Sequence, residues 1–221
     1  MGAPLRIDFV SDVACPWCVV GLRSLLKAID AVGDKVDVQI HFQPFELNPD
    51  MAPDGENTTE HVQKKYGSTP ERSAAARQAL KDNGAALGFD FNYSPQSRIW
   101  NTFDAHRLLH WAGIEGKQLE LKEALFRVNF TEQQSTSDHE VLAKAAESAG
   151  LDGGRAREIL KSGEFTKEVR SEEMVWRNRG ISAVPSVIFN QRWMIQGGQP
   201  PQVFEQAIRQ IVEGTAQEER A

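Results

Sequence analysis

Apolar and polar positions recur with two different periods along this 221-residue chain. Leu5–Val10 is rich in strand-forming residues and loosely alternating, which predicts a first strand. From Cys15 to about Ala31 the apolar positions Val19, Leu22, Leu25, Leu26 and Ile29 recur at helical spacing. Pro16 suits the first helical position, where a missing N–H loses nothing. Gly33-Asp34 predicts a turn. Val36, Val38, Ile40 and Phe42 then alternate with Asp37, Gln39 and His41, the pattern of a half-buried strand. Phe45–Pro49 leaves the sheet, and Pro49, Pro53, Asp54 and Gly55 predict a loop.

From about Thr58 to Val175 the pattern is helical throughout, with no strand signal. Breaks fall at Gly67–Pro70, Gly84–Ser94, Gly113–Gly116, Thr131–Ser137 and Leu151–Gly154. Ser137-x-x-Glu140 ahead of Val141 and Leu142 predicts a capping box. Strands return at Ser186–Phe189 and Trp193–Ile195, joined by a tight turn at Asn190-Gln191. After Gly197-Gly198, Gln199-Pro200-Pro201 opens a last amphipathic helix carrying Val203, Phe204, Ile208, Ile211 and Val212; Gln217–Ala221 reads as a frayed tail. The order is β-α-β, a helical block, then β-β-α. Neither half has enough strands to stand alone, so the pattern predicts an α/β fold built on one discontinuous sheet. Residues 1–57 and 166–221 supply the sheet domain, and 58–165 an inserted all-helical domain.

Charge narrows the partners. Lys and Arg number 25 against 31 Asp and Glu, a net charge of −6, which weighs against nucleic acid and anionic membranes. No apolar run approaches the roughly 18 residues of a membrane span. Met1–Val10 does not resemble a secretory signal, so a cytoplasmic location is expected. With two Cys no disulfide framework exists, and both lie in one tetrapeptide, Cys15-Pro16-Trp17-Cys18.

A Cys-x-x-Cys is a redox dithiol, half of a metal site, or coincidence. This one follows a strand and opens a helix. Cys15 therefore meets the positive end of the helix dipole, which stabilises a thiolate. Cys18 lies one turn on, on the same face, where it can attack a mixed disulfide formed on Cys15. Cys15 is thus the expected nucleophile and Cys18 the resolving thiol. A zinc site would need His106 and His110, four residues apart on one helix face. Pro16 and Trp17 form a stiff, bulky link unlike a zinc knuckle, so no metal is expected. The two His read as a solvated or core-edge helix.

Four segments together resemble the FrnE-like branch of the DsbA family: Ser11-Asp12-x-x-Cys15-Pro16-Trp17-Cys18, Asn101-Thr102-x-x-Ala105-His106-Arg107-Leu108, Val184-Pro185 and Gly197-Gly198-Gln199. The resemblance covers nearly the whole chain. It implies a thioredoxin fold with a helical insertion, and dithiol-disulfide exchange through a redox-active Cys15–Cys18 disulfide. It also implies a cis Val184–Pro185 bond facing the dithiol, although most X-Pro bonds are trans. Pro185 and the Val184 backbone would then offer an edge to a substrate chain. Glutathione-using relatives, the kappa-class transferases and hydroxychromene-carboxylate isomerases, carry Ser in place of Cys15 and lack the paired thiol. Having both thiols favours disulfide exchange, with glutathione as a co-substrate. On that analogy Asn48, Val184, Gly198 and Gln199 are its candidate contacts, the last helix offering N–H donors to a carboxylate.

DsbA-type oxidants have His beside the resolving Cys, where this chain has the uncharged Trp17. That change predicts a less oxidising pair, and cytosolic thiols are held reduced, so a reductase or isomerase is expected. Its partners would be a disulfide-containing protein or glutathione disulfide. Trp17 would be an exposed apolar contact beside Cys15, whereas Trp100, Trp111, Trp176 and Trp193 read as core. Asp8 is either a buried proton relay to Cys18 or a rim carboxylate. Asp12 reads as a loop or capping residue. His106 and Arg107 read as solvated or packing positions, and Gly197-Gly198 as a turn or a close approach to substrate. Two other functions fit the motif: a glutathione-dependent transferase or isomerase on a small organic molecule, and a binding module whose dithiol senses oxidants.

Overall fold

The computed structural model describes the backbone of residues 2–218 and the side chains of 2–214. At its centre is β1 (Ala3–Ser11). β2 (Val36–Pro44) runs parallel to it, in register from Ala3 opposite Val36 to Ser11 opposite Pro44. The crossover between them is α1 (Pro16–Val32). On the other side β5 (Ser186–Phe189) pairs antiparallel with β1, and β6 (Trp193–Gln196) pairs antiparallel with β5. The strand order is therefore β2-β1-β5-β6. The β5–β6 turn holds Asn190 and Gln191 at φ of 46° and 57°, the left-handed region that Asn tolerates best among non-glycine residues.

One face of the sheet carries Leu5, Ile7 and Phe9, packed with Leu22 and Leu25 of α1 and with Phe204 and Ile208 of α9 (Pro201–Glu218). The other face carries Val10 and Ile188, covered by Trp176 of α8 (Thr166–Asn178), whose Nε1 donates to Gln43 Oε1 at 3.1 Å. Of the expected tail, α9 takes in Gln217 and Glu218, and 219–221 lie outside the described residues.

Between the two halves of the sheet run α2 (Thr58–Tyr66), α3 (Pro70–Ala86), α4 (Phe103–Ile114), α5 (Gln118–Phe126), α6 (His139–Ser148) and α7 (Gly153–Ser162). α5 continues into a wider turn at Arg127–Thr131. Leu108, Leu121, Leu125, Leu142 and Ile159 form a second core here. Leu80, Phe89, Phe91, Phe126 and Phe130 instead join the sheet core, so the insertion packs straight onto the sheet half. No described helix is long and apolar enough to cross a membrane.

Several local expectations change. A two-residue ribbon, β3 (Glu56–Asn57) with β4 (Arg98–Ile99), interrupts the helical block, too short to leave a period in the sequence. The α6 cap is Asp138, which accepts from Glu140 N and Val141 N; Ser137 instead donates to Asn101 O at 2.9 Å. Trp100, Trp111 and Trp176 are buried, but Trp193 is 37% exposed because β6 is the sheet edge, and the Arg192 guanidinium lies 4.8 Å over its ring.

The break expected over Gly84–Ser94 starts only after Ala86, where α3 ends, and Gly84 itself is helical. There glycine serves close packing, since a Cβ would stand 2.5 Å from Phe89 O and 2.6 Å from Phe91 Cδ2. Gly84→Ala is expected to destabilise the fold by about 1–2 kcal/mol in urea unfolding. Overpacking against a backbone carbonyl, about 1–3 kcal/mol, outweighs the roughly 1 kcal/mol that Ala adds to a helix.

Candidate active site

β1 ends at Ser11 and delivers the chain to the head of α1. Cys15 caps that helix at φ −95° and ψ 111°, and Pro16 follows with its ring already at helical φ. Cys15 N donates to Asp12 O at 3.2 Å, and Cys18 N to Cys15 O at 3.0 Å. The sulfur of Cys15 thus sits where the first N–H groups of α1 have no helical partner. Both thiols are free, and the Cys15 thiol donates to Val184 O at 3.5 Å. The Val184–Pro185 peptide is cis, as the resemblance implies. Pro185 seats against α1 at Gly21, where a Cβ would come within 2.9 Å of its ring.

Cys18 is completely buried behind Cys15. Burial pushes its thiol well above the ordinary range, and the hydrogen bond to Cys15 and the charge of Cys15 push the same way. The charge of Lys122 and a backbone hydrogen bond from Asp12 pull against them. Cys18 therefore stays protonated at neutral pH, as a thiol that acts second should.

Lys122 is the ionisable residue that sequence reasoning missed. It is buried on α5, with Nζ 5.1 Å from the centre of the Phe126 ring. Burial drives its ammonium down to about 8, against the charges of Cys18, Asp12 and Cys15. Nothing in Leu119–Leu125 distinguishes Lys122 from an ordinary solvated lysine; only the tertiary packing buries it.

Asp12 does more than turn the chain. It is buried, with Oδ1 accepting from Ala14 N at 3.2 Å and Oδ2 from Leu47 N at 2.7 Å. His106, buried rather than solvated, brings Nε2 to 3.5 Å from Asp12 Oδ1. Burial raises the Asp12 carboxyl, but His106 and the two backbone donors outweigh it and hold the group below its usual range. Arg107 is also buried, bonded to Asp104, Ile159 O and Glu164 O, and so is a packing residue. His110 turns away to Glu172.

Asp8 is buried, yet on the wrong face for a relay to Cys18. Leu5, Ile7 and Phe9 share the core of Cys18, and the two-residue period sends Asp8 to the opposite side of the sheet. There it accepts from Arg6 Nη2 at 2.7 Å and Gln43 Nε2 at 2.8 Å.

Cys15, Pro16, Trp17, Asn48 and Val184 line one cavity of about 510 Å³. Trp17 is 40% exposed. Asn48 Oδ1 accepts from Lys65 Nζ at 2.6 Å and lies 3.1 Å from His61 Nε2. Gly198 and Gln199 do not line this cavity. Gly198 instead backs Trp17, where a Cβ would stand 3.0 Å from the Trp17 carbonyl oxygen. Gln199 donates its N–H to Gly197 O and its amide to Gln196 O, each at 2.9 Å, so it turns back on its own loop.

Comparison with known proteins agrees with this fold. The curated protein YwbO of Bacillus subtilis, uncharacterised, is 28% identical over 206 residues, 92% of this chain and 96% of that one. The crystal structure of a probable DsbA oxidoreductase from Streptomyces coelicolor is 33% identical, covers 95% of this chain and 90% of its own, and superposes with a TM-score of 0.89. The cytosolic disulfide reductase DsbM from Pseudomonas aeruginosa, solved with GSH, shares the fold at 14% identity and a TM-score of 0.62, covering 94% of this chain and 99% of its own. The family model for the DSBA-like thioredoxin domain matches residues 6–209. The chain belongs to the DSBA-like thioredoxin family.

Proposed function

We propose that this protein is a cytoplasmic thiol-disulfide oxidoreductase that works as a reductase or isomerase, with glutathione or a disulfide-containing protein as partner. The observation that carries the reading is the pairing of a helix-capping Cys15 on a cavity wall with a protonated Cys18 directly behind it. Cys15 as thiolate attacks one sulfur of a substrate disulfide, a Cys15–substrate disulfide forms, and the other substrate sulfur leaves as thiolate. Cys18 then loses its proton and attacks Cys15, which expels the second substrate thiol and leaves Cys15–Cys18 oxidised. Trp17, where DsbA-type oxidants have His, supports the reducing direction.

The test is a redox titration of the Cys15–Cys18 pair against glutathione together with insulin reduction on the same sample. Expected are a two-electron transition and accelerated insulin reduction; a dithiol that turns over neither insulin nor glutathione disulfide would end the reading. Cys18→Ala separates the glutathione-dependent transferase or isomerase, which a cavity of small-molecule size favours. In an oxidoreductase the variant accumulates a Cys15 mixed disulfide and stalls; a transferase needs no resolution and keeps turning over.

A further inference from the structure

The cavity at Cys15 is built in an unusual way for a chain with 31 acidic residues and a net charge of −6. No Asp or Glu lines it among the described residues, while Arg77 and Arg98 do; His61 also lines it, with Nδ1 2.7 Å from Glu56 Oε2. Arg77 projects from α3 and makes one long hydrogen bond, to Thr59 Oγ1 at 3.4 Å, with no carboxylate partner among the described residues. Arg98 spends its donors on the carbonyls of Asp54 and Gly55, so its charge is likewise not neutralised by an acid. A guanidinium with donors to spare on the wall of a cavity is a ready binder of carboxylate.

Cys15 is only 4% exposed and forms part of the same wall. A volume of about 510 Å³ lies in the range of small-molecule sites. A nucleophile so little exposed is reached more readily by a small molecule that enters the cavity than by a disulfide on a folded surface. Tyr93 lines the same cavity. Burial raises its hydroxyl far above the ordinary range, the Cys15 charge raises it further, and Arg77 pulls it back, so it stays a neutral donor within electrostatic reach of both.

We propose that this cavity is the binding site for a low-molecular-weight disulfide carrying a carboxylate, with Arg77 holding the anion and a disulfide sulfur presented to Cys15. The inference rests on the thiol-exchange reading and names its substrate class. Reduction takes the steps given above: two electrons pass from the Cys15–Cys18 dithiol to the substrate, two small thiols leave, and dithiothreitol restores the dithiol in the assay. Arg77 is thus a specificity-determining residue contributed by the helical insertion, in place of the expected carboxylate site at Gln199.

Three small disulfides of similar size test it: 3,3′-dithiodipropionate, neutral hydroxyethyl disulfide and cationic cystamine. Each rate is divided by that of dithiothreitol alone with the same disulfide, which removes intrinsic charge effects. The expected preference for the dicarboxylate over cystamine is on the order of tenfold to a hundredfold, the worth of a charge-assisted hydrogen bond. Arg77→Met is expected to bring the dicarboxylate-to-neutral ratio down to that of the free dithiol, and Arg77→Lys to retain part of it. No charge preference in the native protein, or a ratio unmoved in Arg77→Met, would overturn the proposal. If insulin is reduced while all three small disulfides remain at the background rate, the substrate is a protein: the cavity assignment falls and the oxidoreductase reading stands. If no disulfide of either kind reacts, the oxidoreductase reading itself falls.

Discussion

Cys15→Ser is expected to lower disulfide exchange at least about a thousand-fold, equivalent to roughly 4 kcal/mol of barrier. A serine hydroxyl at the head of α1 does not ionise near neutral pH, and an alkoxide is in any case the wrong partner for a disulfide sulfur. The fold should survive, because the Oγ can still donate to Val184 O where the thiol does now. Insulin reduction and unfolding midpoint measured on one preparation check both halves. Residual exchange within tenfold of the native rate would move the nucleophile away from Cys15.

Lys122→Met is expected to make the protein more stable and slower. Removing an ammonium that burial holds down from 10.5 to about 8 relieves on the order of 3 kcal/mol at neutral pH, or several degrees in Tm at this chain length. The opposing effect is that Asp12 loses a cationic neighbour. Asp12 keeps two backbone N–H donors and His106, so relief of the buried Lys122 charge outweighs that loss. The pH dependence follows from the sign of the shift. The folded protein holds Lys122 down at about 8 against an ordinary 10.5, so the burden of its charge is full below about pH 8 and is lifted as pH rises to 10.5. The stability gain of the variant should therefore be largest below pH 8 and fade above it. Meanwhile Cys18 loses the cation that favours its thiolate. Decay of a pre-formed Cys15 mixed disulfide should slow several-fold, with its pH profile displaced upward. An unchanged decay rate would remove Lys122 from the resolving step.

What the sequence discloses and what it hides divide along a physical line. Local spacing is enough for β1, α1, β2, the β5–β6 turn and the dithiol, because strand period, Pro16 and the Cys spacing act within one turn or one strand. Asp8 shows where this stops: its burial is legible from an apolar strand, but the side of the sheet it faces depends on register with Ile188 and His41. Lys122 and Arg77 are hidden for a similar reason. Each lies on a helix whose own period gives no sign of it, and each acquires meaning only when α5 and α3 pack against the head of α1. Gly198 and Gln199 stay off the cavity wall because a Gly-Gly-Gln turn reads alike whether it approaches a ligand or, as here, the back of Trp17.

The cavity takes its sulfur from α1 and its cations from the inserted segment. The nucleophile and the proposed selectivity are therefore written in separate stretches of the gene. Grafting a different 58–165 stretch between the same sheet halves would re-address the exchange to other cargo, provided Lys122, whose charge bears on Cys18, and the aromatic seam of Phe89, Phe91 and Phe130 are carried along.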